Sequence, residues 1–166
     1  MEKNFLSLIK TRRSVRAYKS EPVPSKGLDA VLEAGTCAPT GGEYQSPTII
    51  AITDPEYRRK IAKLNAEVMV CTTDPYYGAP VVILVLVDGS ASTYVEDGSC
   101  VLENRMLAAH ALGLGTIWVH REREIFDSES GKDLLWEWKL PEILRGIGAI
   151  ALSYPAQEAS KPAARK

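Results

Sequence analysis

The sequence has few of the residues that build metal centres and disulfide frameworks. It contains three cysteines, Cys37, Cys71 and Cys100, and no two of them form a C-x-x-C pair. Only two histidines, His110 and His120, could assist them. Structural zinc sites and disulfide-linked domains use closely spaced groups of such ligands. We therefore expect a reduced protein that binds no metal.

Long apolar runs and an excess of either charge are also missing. No apolar run approaches the roughly 18 residues that cross a bilayer, and the first residues do not resemble a secretion signal. Twenty Lys and Arg against 21 Asp and Glu give a formal net charge of −1, which argues against a broad basic face for nucleic acid. We expect a soluble, cytoplasmic protein that binds neither nucleic acid nor a membrane. Any anion site must be local.

The sequence does contain enough apolar material for one folded domain. Of its 166 residues, 45% are hydrophobic, and a chain of this length buries roughly two-thirds of its unfolded surface. We predict a single domain over 1–166. Its last part, 155–166, is rich in Ala, Pro and Lys and is predicted to be an extended tail.

Capping residues and apolar spacing locate the first helices. A short amphipathic helix is predicted to end near Thr11, and a second one to begin with Ser25 as its N-cap. The second helix must end before Pro39. Asp54 followed by Pro55 predicts the start of a further helix, because Asp is favoured at the N-cap and Pro at the first helical position.

Apolar and β-branched runs predict four strands, at 47–53, 79–88, 115–120 and 147–153. The run after Pro80 is apolar without interruption, which is typical of a strand buried on both faces. A short helix is expected around 133–139. The alternation of strands and helices, taken alone, favours a parallel doubly wound sheet.

A helix predicted at 95–112 is apolar around most of its circumference in its second half, where His110 is the only polar residue after Arg105. A helix that is apolar on every side is buried on every side. It is therefore either the central helix of one domain or the contact with a second copy of the chain.

A basic segment, Arg12-Arg13-Ser14-Val15-Arg16, is the first candidate site. In an extended chain alternate side chains share a side, so Arg12, Ser14 and Arg16 would point to one spot. Guanidinium groups suit a phosphate because they donate in a fork-shaped pattern. The alternative is a solvated patch that pairs with acids such as Glu21.

A loop at 38–45 is the second candidate. Its adjacent Gly41 and Gly42 would permit close backbone approach to a flat ligand, and Thr40 and Gln45 would supply polar contacts. A plain turn is the alternative.

Motifs of dinucleotide binding and nucleophilic catalysis are missing. The glycines of Gly113-Leu114-Gly115 follow a helix and precede a strand, the reverse of a dinucleotide-binding turn, so Gly113 is predicted to end the helix. No G-x-S-x-G elbow is present.

Five segments taken in chain order resemble one family, the flavin-dependent nitroreductases, and in particular its short FMN-binding members. The segments are RRSVRAY, APTGGEYQSP, YYGAPVVILVLVD, ENRMLAAHALGLGTIWV and GIGAIALSYPAQEASKP. They run from Arg12 to about Lys161. The resemblance implies a three-layer α+β fold whose central sheet is mostly antiparallel, in place of the parallel sheet that the alternation favours. It also implies an obligate homodimer with two FMN molecules at the subunit interface and the helix at 95–112 at its centre.

The resemblance also implies which residues hold FMN. Arg12, Ser14 and Arg16 match the residues that hold the FMN phosphate and ribityl chain. Arg13 would contribute through its backbone. The ring would be contacted from the other subunit by Pro39, Thr40 and Gly41. Backbone groups of Val119 and His120 would face the reactive N5 edge. Lys161 and Arg165 would close over the phosphate. Asn65 is a further candidate for the ring, with a structural role as its alternative.

Two positions depart from the family pattern. Glu43 stands where relatives often have Asn, and Arg121 stands where a glycine is common. The resemblance implies a ping-pong oxidoreductase that moves electrons from NADH or NADPH through flavin N5 to a nitroaromatic, quinone or similar acceptor. The two departures leave open an FMN-binding sensor or storage protein without efficient reductase activity. Reductive dehalogenation or flavin destruction would need lid insertions, for which the chain has little room.

Overall fold

Six α-helices and four strands are formed by residues 5–158, the part of the chain that the structure, a computed structural model, describes. The helices are α1 (Phe5–Thr11), α2 (Ser25–Thr36), α3 (Pro55–Met69), α4 (Tyr94–Ala111), α5 (Glu122–Phe126) and α6 (Glu129–Glu137). The strands are β1 (Pro47–Ile52), β2 (Val81–Asp88), β3 (Gly115–Val119) and β4 (Leu144–Ser153). A short 3₁₀ turn lies at Gly41–Glu43.

The four strands form one sheet in the order β1-β2-β4-β3, and every neighbouring pair is antiparallel. The parallel sheet favoured by the alternation of strands and helices is therefore wrong, and the antiparallel sheet implied by the resemblance is confirmed. Alternation along the chain shows only that helices connect the strands. It does not show which strands become neighbours.

Helices cover both faces of this sheet. Alternate residues of β2 belong to two separate cores, because successive side chains of a strand point to opposite faces. Val82, Leu84 and Leu86 pack with residues of α3, α5 and α6, whereas Ile83 and Val85 pack with residues of α2 and α4. The result is the three-layer α+β arrangement that the resemblance implies.

One of the two predicted helix N-caps is found in the structure, and the other is not. The Asp54 carboxylate accepts hydrogen bonds from the backbone N–H groups of Glu56 and Tyr57, as predicted for an N-cap. Ser25 is not the N-cap of α2, because Pro24 holds that place and its carbonyl accepts from Leu28. The helix predicted around 133–139 begins earlier, after Ser128, whose hydroxyl caps α6.

Helix α4 buries one side in the domain and leaves another side exposed. Its buried residues include Val101, Leu102, Met106 and Ala109, whereas Cys100 and other residues of the opposite side are exposed. Burial on every side is thus not reached within one chain. Within residues 5–158, no helix has both the length and the apolar character that a membrane span requires.

A buried polar cluster lies between α3, the loop before β2 and the start of α5. Asn65, Tyr76 and Glu122 are all inaccessible to solvent. The Tyr76 hydroxyl and the Asn65 amide both donate to Oε1 of Glu122, at 2.8 and 3.1 Å. Burial raises the pKa of Glu122 to about 8, and these two hydrogen bonds offset only part of that effect. The carboxyl is therefore protonated at neutral pH.

We predict that this carboxyl gives the free energy of unfolding a pH dependence. The unfolded chain releases the proton near pH 4.5, whereas the folded chain keeps it to about pH 8. Stability should therefore be highest at and below the unfolded pKa and fall as the pH rises toward 8, by an amount on the order of 4 kcal/mol.

Urea unfolding between pH 5 and 9 measures this effect. Glu122→Gln keeps an oxygen acceptor and should make the free energy of unfolding nearly independent of pH in this range. Glu124→Gln changes an exposed residue of the same helix and should leave the pH dependence of the wild type unchanged. Parallel profiles for wild type and Glu122→Gln would contradict the prediction.

Candidate functional site

A pocket of about 190 Å³ lies where α1 ends beside the first residues of β3. Its lining includes Arg12 and Arg13 from the basic segment, Gly115 and Thr116 from β3, and Pro155, Gln157 and Glu158 after β4. The Val15 N–H donates to the Thr116 carbonyl at 2.9 Å, and this bond fixes the basic segment along β3. The pocket is therefore built on the edge of the sheet.

Two cationic donors at this pocket lack a partner in the part of the chain that the structure describes. Nη1 of Arg12 and Nε of Arg13 are buried and make no hydrogen bond within residues 5–158. A buried, unpaired donor on a charged group is costly, so such donors are usually satisfied by a ligand or water. Guanidinium donors of this kind fit an anionic group such as a phosphate.

Ser14 and Arg16 do not line this pocket, and both are exposed. The expected alternation of Arg12, Ser14 and Arg16 assumes that the chain is extended from Arg12 onwards. Arg12 instead still donates its N–H to the Leu8 carbonyl, as in a helix, so the extended backbone begins after it. The structure thus brings Arg12 and Arg13 together at the pocket, and roles for Ser14 and Arg16 stay predictions.

The turn after α4 closes another side of the pocket. Gly113 has φ of +77°, in the left-handed region that glycine adopts without strain, and its N–H donates to the His110 carbonyl. The Leu114 N–H donates to the Ala109 carbonyl, which completes the end of the helix. The helix-ending role predicted for Gly113 is confirmed.

The loop containing Pro39, Thr40 and Gly41 is held on the start of α4. The Gly41 N–H donates to Oδ1 of Asp97 at 3.0 Å, and the Thr40 hydroxyl accepts from the Gln45 N–H at 3.1 Å. A Cβ atom at Gly41 would lie 2.2 Å from the Thr93 hydroxyl oxygen. A side chain at this position would therefore force the Thr93 side chain to move, so the packing within one chain favours glycine here.

This loop and the basic segment do not meet in the pocket described above. Thr40 and Gln45 line a different cavity of about 110 Å³, between α2, β1 and α4. Pro39 is exposed, and Gly41 is half-buried. The resemblance assigns the loop to the flavin of the other subunit, and that assignment stays a prediction.

Both departures from the family pattern fall on residues with a left-handed backbone. Glu43 has φ of +59° and Arg121 has φ of +86°. Asn and glycine adopt this region more readily than other residues. Glu43 and Arg121 thus hold a backbone conformation that suits the Asn and the glycine of the family pattern.

Val119 and His120 lie at the end of β3, where Val119 is buried and His120 is exposed. Asn65 lies beneath them and is fully buried. Its amide nitrogen donates to the His120 carbonyl at 3.0 Å, and its amide oxygen accepts from Nε of Arg121 at 3.1 Å. These contacts support the structural alternative for Asn65, and its contact with a flavin ring stays a prediction.

Lys161 and Arg165 lie outside the described residues. The sequence analysis missed Asp97, Tyr76 and Glu122, although Asp97 holds the loop and the other two hold Asn65. An acid in the first turn of a helix is ordinary helix chemistry, so Asp97 and Glu122 carried no signal that set them apart.

Comparisons with known proteins give a consistent result. The Nitroreductase family matches residues 9–73. An NADH dehydrogenase/NAD(P)H nitroreductase of Methanothermobacter thermautotrophicus is 32% identical, over 93% of this chain and 78% of that protein. An FMN reductase (NAD(P)H) of Bacillus subtilis is 26% identical, over 90% of this chain and 65% of that protein.

Among solved structures, a Bacteroides fragilis nitroreductase with bound FMN superimposes with a TM-score of 0.87 at 29% identity, covering 99% of this chain and 95% of that one. The chain thus shares this fold over nearly its whole length, and it is 32% identical to a relative of which it covers 78%. The chain belongs to the nitroreductase family.

Proposed function

We propose that the chain is an FMN-dependent oxidoreductase that takes electrons from NADH or NADPH and passes them to a nitroaromatic, a quinone or a similar small acceptor. The observation that carries the proposal is the pair of buried, unpaired guanidinium donors of Arg12 and Arg13 at one pocket. Support comes from the B. fragilis relative, which has bound FMN, and from the relatives named for NAD(P)H-linked reduction.

In this proposal the chain binds the two ends of FMN at the two ends of β3. Arg12 and Arg13 would hold the phosphate at the beginning of the strand, assisted by Ser14 and Arg16. Backbone groups of Val119 and His120 would face the ring at the other end. From Thr116 to His120 the strand spans about 13 Å at its usual rise. A rigid strand would thus fix the separation of the two binding regions.

Bound FMN would supply the redox chemistry, by accepting a hydride from the nicotinamide cofactor and then reducing the acceptor. The chain's part is to bind and orient the flavin. The loop at Pro39, Thr40 and Gly41 would cover the ring, held by the Asp97 carboxylate. The chain would form one domain over 1–166, with an extended tail at 155–166. Within this tail, Lys161 and Arg165 would close over the phosphate.

A homodimer is part of the proposal, because the loop and the basic segment do not share a pocket in one chain. Exposed apolar side chains on α1 and at the end of α4 support it: Phe5 is 63% exposed, and Ile9 and Leu112 are each 48% exposed. Large exposed apolar side chains of this kind are expected where a second chain covers the surface. The loop of one chain would then contact the flavin held by its partner.

The purified protein should release FMN when it is denatured, and its flavin absorbance should bleach when NADH or NADPH is added without oxygen. An acceptor added afterwards should restore the absorbance. Bound flavin that neither nicotinamide reduces would favour the sensor or storage alternative. Failure to bind FMN would reject both.

Removal of a phosphate contact should weaken FMN binding without unfolding the chain. A charge-assisted hydrogen bond contributes about 1.5–3 kcal/mol, so Arg12→Ala should raise the Kd for FMN roughly tenfold to a hundredfold. Ser14→Ala should raise it less, because a neutral hydroxyl forms a weaker bond.

Arg59→Ala removes an exposed arginine from α3 and serves as the matched control. Fluorescence titration of the apoprotein with FMN gives the three affinities, and circular dichroism checks folding. If Arg12→Ala binds FMN as the wild type does, the basic segment is a solvated patch.

The dimer can be tested by one charge on the exposed apolar surface. Phe5→Asp would bury a carboxylate in the proposed interface and should convert a dimer to a monomer in sedimentation velocity. Trp136→Asp, on α6 at the other face of the sheet, replaces a side chain that is 84% exposed and should leave the dimer intact. A wild-type protein that sediments as a folded monomer would contradict the proposal.

A further inference from the structure

The side chain of Arg121 is anchored at one point. Its Nε donates to Oδ1 of Asn65 at 3.1 Å, and Asn65 is fully buried. Nδ2 of the same Asn65 donates to the His120 carbonyl at 3.0 Å. The Arg121 guanidinium is therefore tied to the turn formed by His120 and Arg121, which is where the proposed function places the flavin ring.

The anchor has one orientation, which the buried cluster beneath the turn determines. Nδ2 of Asn65 also donates to Oε1 of Glu122 at 3.1 Å, and that oxygen accepts from the Tyr76 hydroxyl at 2.8 Å. Because both hydrogens of the Asn65 amide have acceptors, the amide oxygen is the atom that faces Arg121. A guanidinium held in this way loses less conformational freedom on binding a ligand than a fully mobile one.

The other two nitrogens of this guanidinium, Nη1 and Nη2, make no hydrogen bond within residues 5–158. They are not among the buried unpaired atoms of these residues, so solvent reaches them. No ion pair in the same part of the chain includes Arg121. The adjacent acid, Glu122, does not compensate the charge, because burial raises its pKa to about 8 and keeps it protonated at neutral pH.

Two other arginines on neighbouring elements are engaged in a different way. Arg58 donates from both terminal nitrogens to the Asp74 carboxylate, and the Arg123 guanidinium lies over the Tyr94 ring, 5.7 Å from its centre. Arg121 is instead bonded to a neutral amide. Its fixed Nε and exposed Nη atoms present a planar fork, which matches the two oxygens of a carboxylate.

We propose that Arg121 is a specificity-determining residue, whose Nη1 and Nη2 bind the carboxylate of an electron acceptor that lies against the flavin at the end of β3. The preferred acceptors would then be small molecules that carry a carboxylate beside their reducible group. This inference rests on the proposed function, because it requires FMN at that end of the strand. It gives the side chain that departs from the family pattern a role in the choice of substrate.

The phosphate of NADPH is the other source of an anionic group. In NADPH that phosphate is separated from the nicotinamide ring by two ribose units and a pyrophosphate. Arg121 directly follows His120, whose backbone would face the reacting edge of the flavin. A carboxylate on a small acceptor reaches this position together with its reducible group, and the acceptor is therefore the better match.

The first test measures binding without any reaction, on the FMN-bound protein. Benzoate carries the carboxylate and no reducible group, and benzyl alcohol is its neutral counterpart. Isothermal titration calorimetry should give the wild type a Kd for benzoate at least tenfold below that for benzyl alcohol. Arg121→Gly suits the backbone φ of +86° and should raise the Kd for benzoate roughly tenfold.

Arg123→Gln is the matched control, because it removes an arginine of the same helix that packs on Tyr94. It should bind benzoate as the wild type does. A wild type that does not prefer benzoate to benzyl alcohol, or an Arg121→Gly variant with the wild-type Kd for benzoate, would overturn the proposal.

The wild type alone provides a second measurement, which decides if Arg121→Gly does not fold. Salt screens an exposed charge. Raising the NaCl concentration from about 0.05 to about 0.5 M should therefore weaken the binding of benzoate several-fold and leave that of benzyl alcohol unchanged. Benzoate binding that is independent of salt would count against Arg121.

The third test compares acceptors and electron donors. The ratio of kcat/KM for 4-nitrobenzoate to that for 4-nitrobenzyl alcohol, with NADH as donor, should fall roughly tenfold in Arg121→Gly and stay unchanged in Arg123→Gln. The preference between NADPH and NADH in flavin reduction should be the same in Arg121→Gly and the wild type. If the donor preference changes and the acceptor ratio does not, the guanidinium binds the NADPH phosphate and the proposal is wrong.

Failure of the proposed function has a different signature. A wild type that binds no FMN, or whose bound flavin neither nicotinamide reduces, rejects the proposed function. A wild type that reduces both acceptors, with the same ratio in Arg121→Gly, rejects only the role of Arg121.

Discussion

The antiparallel pairing of β2 with β4 is the constraint on which the rest of the fold depends. The two strands pair from Val81 opposite Leu152 to Asp88 opposite Leu144, and nearly every residue of both is buried. Strands buried on both faces need a helical layer on each side. The edges of the sheet are then the places where a polar site can form, and the basic segment lies along the edge strand β3.

Much of this arrangement could be predicted from local sequence. The uninterrupted apolar run after Pro80 predicts β2, and Asp54 with Pro55 predicts the start of α3. Strand direction could not be predicted from the same pattern, because partner choice depends on contacts between residues far apart in the chain. Helix α5 was missed since its five residues are too few to show a period.

The candidate site also has a part that the sequence predicts and a part that it does not. The adjacent arginines Arg12 and Arg13 predict a phosphate site from the sequence alone, and both line one pocket in the structure. In the cluster beneath the turn, Asn65 was a candidate only through the resemblance. Glu122 gave no signal, because Glu usually faces solvent. Arg105 is a similar case, since its charge predicts exposure and yet it is fully buried against Gly35.

Strand β3 sets the distance between the pocket at Arg12 and Arg13 and the turn at His120. Its length is set by the pairing of Gly115 with Ser153 at one end and of Val119 with Ala149 at the other. Removal of one residue from the strand would shorten it by about 3.3 Å and would turn the following side chains to the opposite face. Insertions and deletions in this family should therefore collect in the surface loops, and the number of residues between the pocket and the turn should stay constant.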